Sequence, residues 1–182
     1  MKLIIFSLIL ICCCGNVTAQ KYFTKNGSIA FFSKTAIEDI KADNNQVMSV
    51  INTQNGELQF SLLVKGFHFK KALMEEHFNK DYLESDKFPK STFKGLITDM
   101  AKVNFTQDGT YAVTVTGDLT IHGVTKKVSS GSSINIKSGK ITGIAKFTVT
   151  LSDYAVSIPK IYQDNISNTI EIAVTCNYDQ KL

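Results

Sequence analysis

The chain contains no tryptophan and no arginine, and beyond residue 14 it carries a single cysteine. Each absence narrows what the protein can do. Every basic side chain is a lysine. Nucleic-acid readers rely on arginine for bidentate contacts with bases and phosphates. The lysines here are scattered, with no basic stripe along any segment, so the pattern argues against nucleic-acid recognition. Cys12, Cys13 and Cys14 crowd into the N-terminus and leave Cys176 alone in the remainder. No intramolecular disulfide can therefore form beyond residue 14, so the domain is held by its own core. No apolar run after the N-terminus is long enough to span a bilayer as a helix.

The N-terminus has the order of a secretory signal peptide. Lys2 supplies a positive start, residues 3–14 are apolar and uncharged, and Val17 and Ala19 place small residues three before and one before Gln20. The apolar run falls short of the ~20 residues that a membrane-spanning helix needs. Cys12 follows Ile11, which lacks the small residue that a lipoprotein signal places before its cysteine. The expected division is a leader over residues 1–19 and one exported domain over residues 20–182, periplasmic or secreted. Without Lys2 the domain carries 19 lysines against 16 acidic residues, a formal charge of +3. Its length is enough to bury a sizeable core.

The dominant signal in the domain is alternation. Tyr111, Val113, Val115, Leu119 and Ile121 alternate with Thr114, Thr116, Asp118 and Thr120. The same period of two runs through Ala145, Phe147, Val149 and Leu151, through Ile170, Ile172, Val174, Cys176 and Tyr178, and through Leu58, Phe60, Leu62 and Val64. Such runs are strands with one dry and one wet face. Shorter strands are expected at 28–33, 47–53, 91–98 and 126–136. Asn55-Gly56, Asp108-Gly109, His122-Gly123 and Ser138-Gly139 supply turn signals between them. About eight short strands separated by turns predict an all-β sandwich or antiparallel barrel, and closure into a barrel removes exposed edges. Residues 71–84 break the pattern. They are rich in helix formers and place Leu73, His77 and Phe78 on one face, followed by an irregular stretch ending at Pro89. Residues 36–42 are a second helical candidate.

No catalytic constellation emerges. His68, His77 and His122 lie apart without the spacing of a metal site, and no cysteine pair accompanies them. Cys176 falls on the dry side of its strand, where a thiol behaves as a small hydrophobe. The acidic residues between Glu75 and Asp86 are interrupted by Lys80 and Lys87, as on a solvated helix face. No nucleophile elbow or phosphate-binding loop is present. The reading is a protein that is not an enzyme, with no metal and no required cofactor. Phe31, Phe32, Phe60, Phe67, Phe69, Phe78, Tyr82, Phe88 and Phe93 concentrate in the first half of the domain. They are consistent with a barrel whose interior holds a ligand, and equally with one filled by its own side chains.

Two stretches carry a family resemblance. DYLESDKFPKSTFKG, residues 81–95, and GDLTIHGVTKKV, residues 117–128, resemble the two hallmarks of the YceI-like family. Residues 145–154 and 158–174 follow in matching order, so the resemblance covers nearly the whole domain. It implies a lipocalin-like antiparallel barrel of about eight strands, with a short helix and irregular segment around residues 71–90. It further implies a periplasmic location, a bound polyisoprenoid or quinone-type lipid in an apolar tunnel, and a homodimer. The chain departs from the family at LSDYAV, where Asp153 stands near a position that many members fill with arginine.

On this reading the ligand wall consists of Phe60, Leu62, Val64, Val113, Val115, Phe147, Val149, Leu151, Ile170, Ile172 and Val174, with Leu73 and Phe78 covering or lining one end. The function expected is carriage or buffering of a hydrophobic small-molecule ligand. The competing reading is a structural or interaction barrel with a filled core, acting in envelope stress. A run of small inward residues favours the tunnel.

Overall fold

A computed structural model describes residues 20–182; the expected leader lies outside them. The strands are β1 (Lys21–Lys34), β2 (Asp39–Asn52), β3 (Glu57–Leu63), β4 (His68–Phe69), β5 (Lys90–Ile97), β6 (Gly109–Ile121), β7 (Val124–Lys137), β8 (Lys140–Thr150), β9 (Thr169–Tyr178) and β10 (Gln180–Lys181). Among the described residues, eight long strands form one antiparallel ring. β1, β2, β3, β5, β6, β7, β8 and β9 pair in that order, and β9 pairs back onto β1. The two-residue strands β4 and β10 add to β2 and β1. Of the sandwich and the barrel that alternation and turn chemistry leave open, the chain forms the closed all-β barrel, and closure leaves no long edge unpaired.

Two hairpins show why the sequence folds this way locally. His122 and Gly123 have φ of +51° and +74°, and Ser138 and Gly139 have +49° and +73°. Both pairs are two-residue turns with positive φ at each central residue, the geometry that matches the twist of paired strands. Asp108-Gly109 behaves differently. Gly109 opens β6, and Asp108 Oδ1 accepts a hydrogen bond of 2.8 Å from the Ser138 amide. The β5–β6 connection is a longer loop over residues 98–108 with a short 3₁₀ turn at Met100–Lys102.

Strands β1 and β2 are much longer than alternation predicts. Thr24 faces Ser49, Gly27 faces Val47, and Ile29 faces Asn44, so each strand carries one extra residue. A bulge reverses which parity points inward. On β2 the buried set switches from Ala42 and Asn44 to Val47, Ser49 and Ile51, which conceals the alternation. Asn44 satisfies its buried amide by donating to Leu63 O at 3.0 Å and accepting from Gln46 N at 2.9 Å.

The helical expectation over 36–42 is incorrect. Thr35 to Glu38 form a tight turn closed by Thr35 Oγ1, which accepts from Glu38 N at 3.1 Å, and β2 begins at Asp39. Residues 39–42 pair with β1 instead, Ala42 facing Phe31 and Asp39 facing Lys34. The second helix does form, but it is shorter than 71–84. It runs as α1 (Ala72–His77) and then widens into a π turn over Phe78–Tyr82. Leu83 N donates to Phe78 O at 2.9 Å across that wide turn.

Candidate ligand-binding cavity

The inward faces enclose one cavity of about 610 Å³. That lies within the ~300–1,000 Å³ range of small-molecule sites. The floor is at the end where β9 finishes and β1 starts. Ile51, Leu58, Ile97, Val113, Ile134 and Tyr178 fill it, and all are buried. The mouth is at the opposite end. There the β1–β2 turn, the segment between β3 and β5, and the β8–β9 connection meet.

Space remains between floor and mouth because β7 and β8 turn small residues inward. Val128, Ser130, Ser132 and Ile134 share the inner face of β7, and Gly143, Ala145, Phe147 and Val149 that of β8. Ser132 pairs with Ala145, so two small side chains meet there, and Ile134 faces Gly143, which has no side chain. The barrel narrows instead at β5 and β6. Gly95 faces Gly117 there, and a Cβ on either would collide with the backbone of the facing strand and with the Phe93 ring. The ring of Phe93 covers both glycines and stands 6.0 Å from that of Phe60.

One side of the cavity near the mouth is aromatic. The Phe31 ring lies 5.4 Å from Phe67, 5.6 Å from Phe69 and 5.5 Å from Phe78. Phe78 reaches this cluster from the π turn and comes within 5.0 Å of Phe69. Tilted and edge-on pairs at such distances are favourable geometries for rings. Phe32 and Phe88 lie outside the cavity: Lys41 Nζ stands 5.7 Å from the Phe32 ring, and Phe88 packs on His122 at 4.6 Å.

All thirteen residues expected on the wall line this cavity: Phe60, Leu62, Val64, Leu73, Phe78, Val113, Val115, Phe147, Val149, Leu151, Ile170, Ile172 and Val174. Val64 does so from a 3₁₀ turn after β3, and Leu73 from the rim, where it is exposed. Sequence reasoning missed the small residues Ser130, Ser132, Gly143 and Ala145. It also missed Ile161, Tyr162, Asn165 and Ile166 at the mouth. The first group was readable, because 130–134 and 143–149 alternate in register with their neighbours. The second lies on an irregular connection with no period to reveal its orientation.

Among the polar groups on the wall, Ser132 Oγ is buried without a hydrogen-bond partner, whereas Tyr178 is engaged. Tyr178 OH lies 2.8 Å from Ser49 Oγ, which donates to Gln59 O at 3.1 Å. Burial raises the Tyr178 hydroxyl pKa far above its ordinary value, so it stays protonated. At the mouth, Glu38 and Lys71 pair at 2.8 Å, and both line the opening beside His77. Asp153, the point of departure from the family pattern, is exposed in a 3₁₀ turn and does not line the cavity. Among the described residues no cluster of histidine, cysteine and carboxylate side chains is placed to hold a metal. Nor is any helix there long and apolar enough to cross a membrane.

A closed antiparallel barrel around an apolar cavity open at one end defines a class, the small barrels with a hydrophobic interior site. The chain belongs within that class to the YceI-like domain family, which matches residues 18–178. Three solved structures share the fold. A polyisoprenoid binding domain from Saccharophagus degradans, implicated in plant cell wall breakdown, superposes with a TM-score of 0.75 at 14% identity, over 87% of this chain and 97% of that one. BcnA of Burkholderia cenocepacia gives 0.68 at 16% identity, over 82% and 94%. The YCEI protein of Campylobacter jejuni gives 0.60 at 18% identity, over 81% and 90%. No curated protein sequence matches the chain.

Proposed function

We propose that this protein binds a polyisoprenoid or quinone-type lipid in its barrel, without catalysing a reaction, as a carrier or buffer in the bacterial periplasm. The observation that carries this reading is the cavity of about 610 Å³ left by the small inward residues of β7 and β8. A filled-core barrel needs large side chains where this chain has Ser130, Ser132, Gly143 and Ala145. Family membership and the likeness to a polyisoprenoid binding domain support the ligand class. The leader expected over residues 1–19 accords with the compartment.

The volume sets the scale of the cargo. At ~30 Å³ per group, about a water's share of the liquid, the cavity takes roughly twenty carbon-sized groups, or about four isoprene units. Burying them at ~0.8 kcal/mol each offers roughly 16 kcal/mol gross, before the entropic cost of binding is subtracted. A prenyl chain supplies that surface with no polar group to satisfy inside the wall.

Titration with prenols of increasing length tests the proposal. Affinity is expected to climb with each isoprene unit and to level off near ~four units, where the cavity is full. Ala145→Phe places a ring in the middle of the tunnel. It is expected to weaken binding of the longest filling prenol at least ~tenfold while the thermal midpoint holds or rises. Affinity that ignores chain length, or that survives Ala145→Phe in the folded protein, contradicts this reading.

A further inference from the structure

We propose that the mouth of the barrel is a membrane-docking lip, which seats on an anionic bilayer surface so that cargo passes between bilayer and cavity without crossing water. The inference rests on the lipid-binding reading above and adds the surface from which the lipid is taken. Large apolar side chains are exposed around the opening: Ile37 is 65% exposed, Leu73 62%, Ile161 78% and Tyr162 40%. Apart from the C-terminal Leu182, Ile161, Ile37 and Leu73 are the three most exposed large hydrophobic residues described. They come from three separate segments, and the fold joins these at one place. Lys71 on the helical segment pairs with Glu38 of the β1–β2 turn at 2.8 Å, and Ser167 N on the β8–β9 connection donates to Ser33 Oγ at 2.9 Å.

Leu73, Ile161 and Tyr162 also line the cavity, so apolar surface continues from the interior onto the lip, beside the Glu38–Lys71 pair. Ordinary solvated rims do not spend exposed isoleucine and leucine in this way, and exposed apolar patches mark contact sites. Charge indicates which surface fits. Each tip has a lysine beside it: Lys34 precedes Ile37, Lys70 precedes Leu73, and Lys160 adjoins Ile161. None of these three lysines forms an ion pair among the described residues. Of the carboxylates on the same segments, Glu38 is held by Lys71, and Glu75 accepts from Phe69 N at 3.1 Å. Asp39, Glu76, Asp81, Glu84, Asp86, Asp153 and Asp164 also belong to these segments; Lys80 pairs with Glu76 at 2.6 Å, Lys65 with Asp86 at 2.6 Å, and His122 holds Glu84 at 2.7 Å. Apolar tips flanked by free lysines match an interface in which acyl chains lie beneath phosphates. Tyr162 is the aromatic type that settles at that boundary.

The test uses residues 20–182, which contain the whole closed barrel, with vesicles of equal parts phosphatidylethanolamine and phosphatidylglycerol. Two variants are compared with the parent: Ile37→Asp, and the triple reversal Lys34→Glu, Lys70→Glu, Lys160→Glu. None of these four residues lines the cavity. The parent is expected to sediment with vesicles and to extract a prenol from them. The triple reversal is expected to lose at least ~100-fold in vesicle affinity, and Ile37→Asp about tenfold, on the scale of ~1 kcal/mol per surface lysine. All three proteins are expected to bind prenol alike in detergent solution. A parent that binds prenol in detergent yet stays in the supernatant overturns the docking lip and leaves the lipid-binding reading intact. Variants that sediment like the parent also overturn it. Failure to bind prenol in either medium overturns both.

Discussion

At the scale of single residues, Ser49, Cys176 and Tyr178 form a buried group at the floor end of the barrel. Desolvation by burial pushes the Cys176 thiol up to about 12, against a smaller opposing contribution from the Ser49 hydrogen bond. Burial likewise raises Tyr178. Both groups are acids that ionise more readily in the unfolded chain, where the thiol titrates near 9 and the phenol near 10. As pH rises through those values the unfolded state releases protons that the folded state keeps. Stability contributed by the neutral groups is therefore complete below about 9 and declines above it. Denaturant midpoints measured across the alkaline range are expected to hold steady and then fall from about that value. Cys176→Ala is expected to delay the fall to the tyrosine range; superimposable profiles would contradict a buried, protonated thiol. Parity placed Cys176 on the dry side from sequence alone. Its contact with Gly27, whose added Cβ would lie 2.7 Å from Sγ, was not legible, because it depends on the pairing of β1 with β9 that closes the barrel.

At the scale of elements, the mouth depends on a clasp. His122 in the β6–β7 turn places Nε2 2.7 Å from Glu84 Oε2 and Nδ1 3.2 Å from Tyr154 O. Both partners are acceptors, so the two bonds form together only when the ring donates from both nitrogens. The clasp ties the helical segment and the β8–β9 connection to a hairpin of the barrel. Glu84, His122 and Ala155 have φ of +41°, +51° and +56°, a left-handed backbone that L residues adopt only under constraint. His122→Ala is expected to lower stability by ~1–3 kcal/mol and to speed amide exchange over residues 78–88 relative to β6 and β7. Exchange that rises uniformly, or not at all, would contradict a local clasp. Legibility followed regularity here. Strands β6, β8 and β9 were readable because an unbroken period of two fixes their inward faces. The helix was legible in kind but not in length, since composition does not reveal that the chain widens into a π turn at Phe78. His122 read as an isolated turn residue, because Glu84 and Tyr154 are remote in sequence and meet it only through the closed barrel.

At the scale of the whole molecule, the floor is packed and the mouth is open, so the barrel has a direction. The first described residues and the C-terminal strand β10 both lie at the floor, away from the lip. Alternation alone left a hollow and a filled barrel equally open; the small inward residues of β7 and β8 separate the two once their register is known. The central claim is that this interior holds a prenyl-type lipid. Native mass spectrometry of the protein purified gently from cells that make it, followed by solvent extraction, tests that most directly. The account predicts a mass above that of the polypeptide and an extracted isoprenoid that Ala145→Phe no longer retains. A bare polypeptide mass that does not change when prenols or prenylated quinones are added would contradict it.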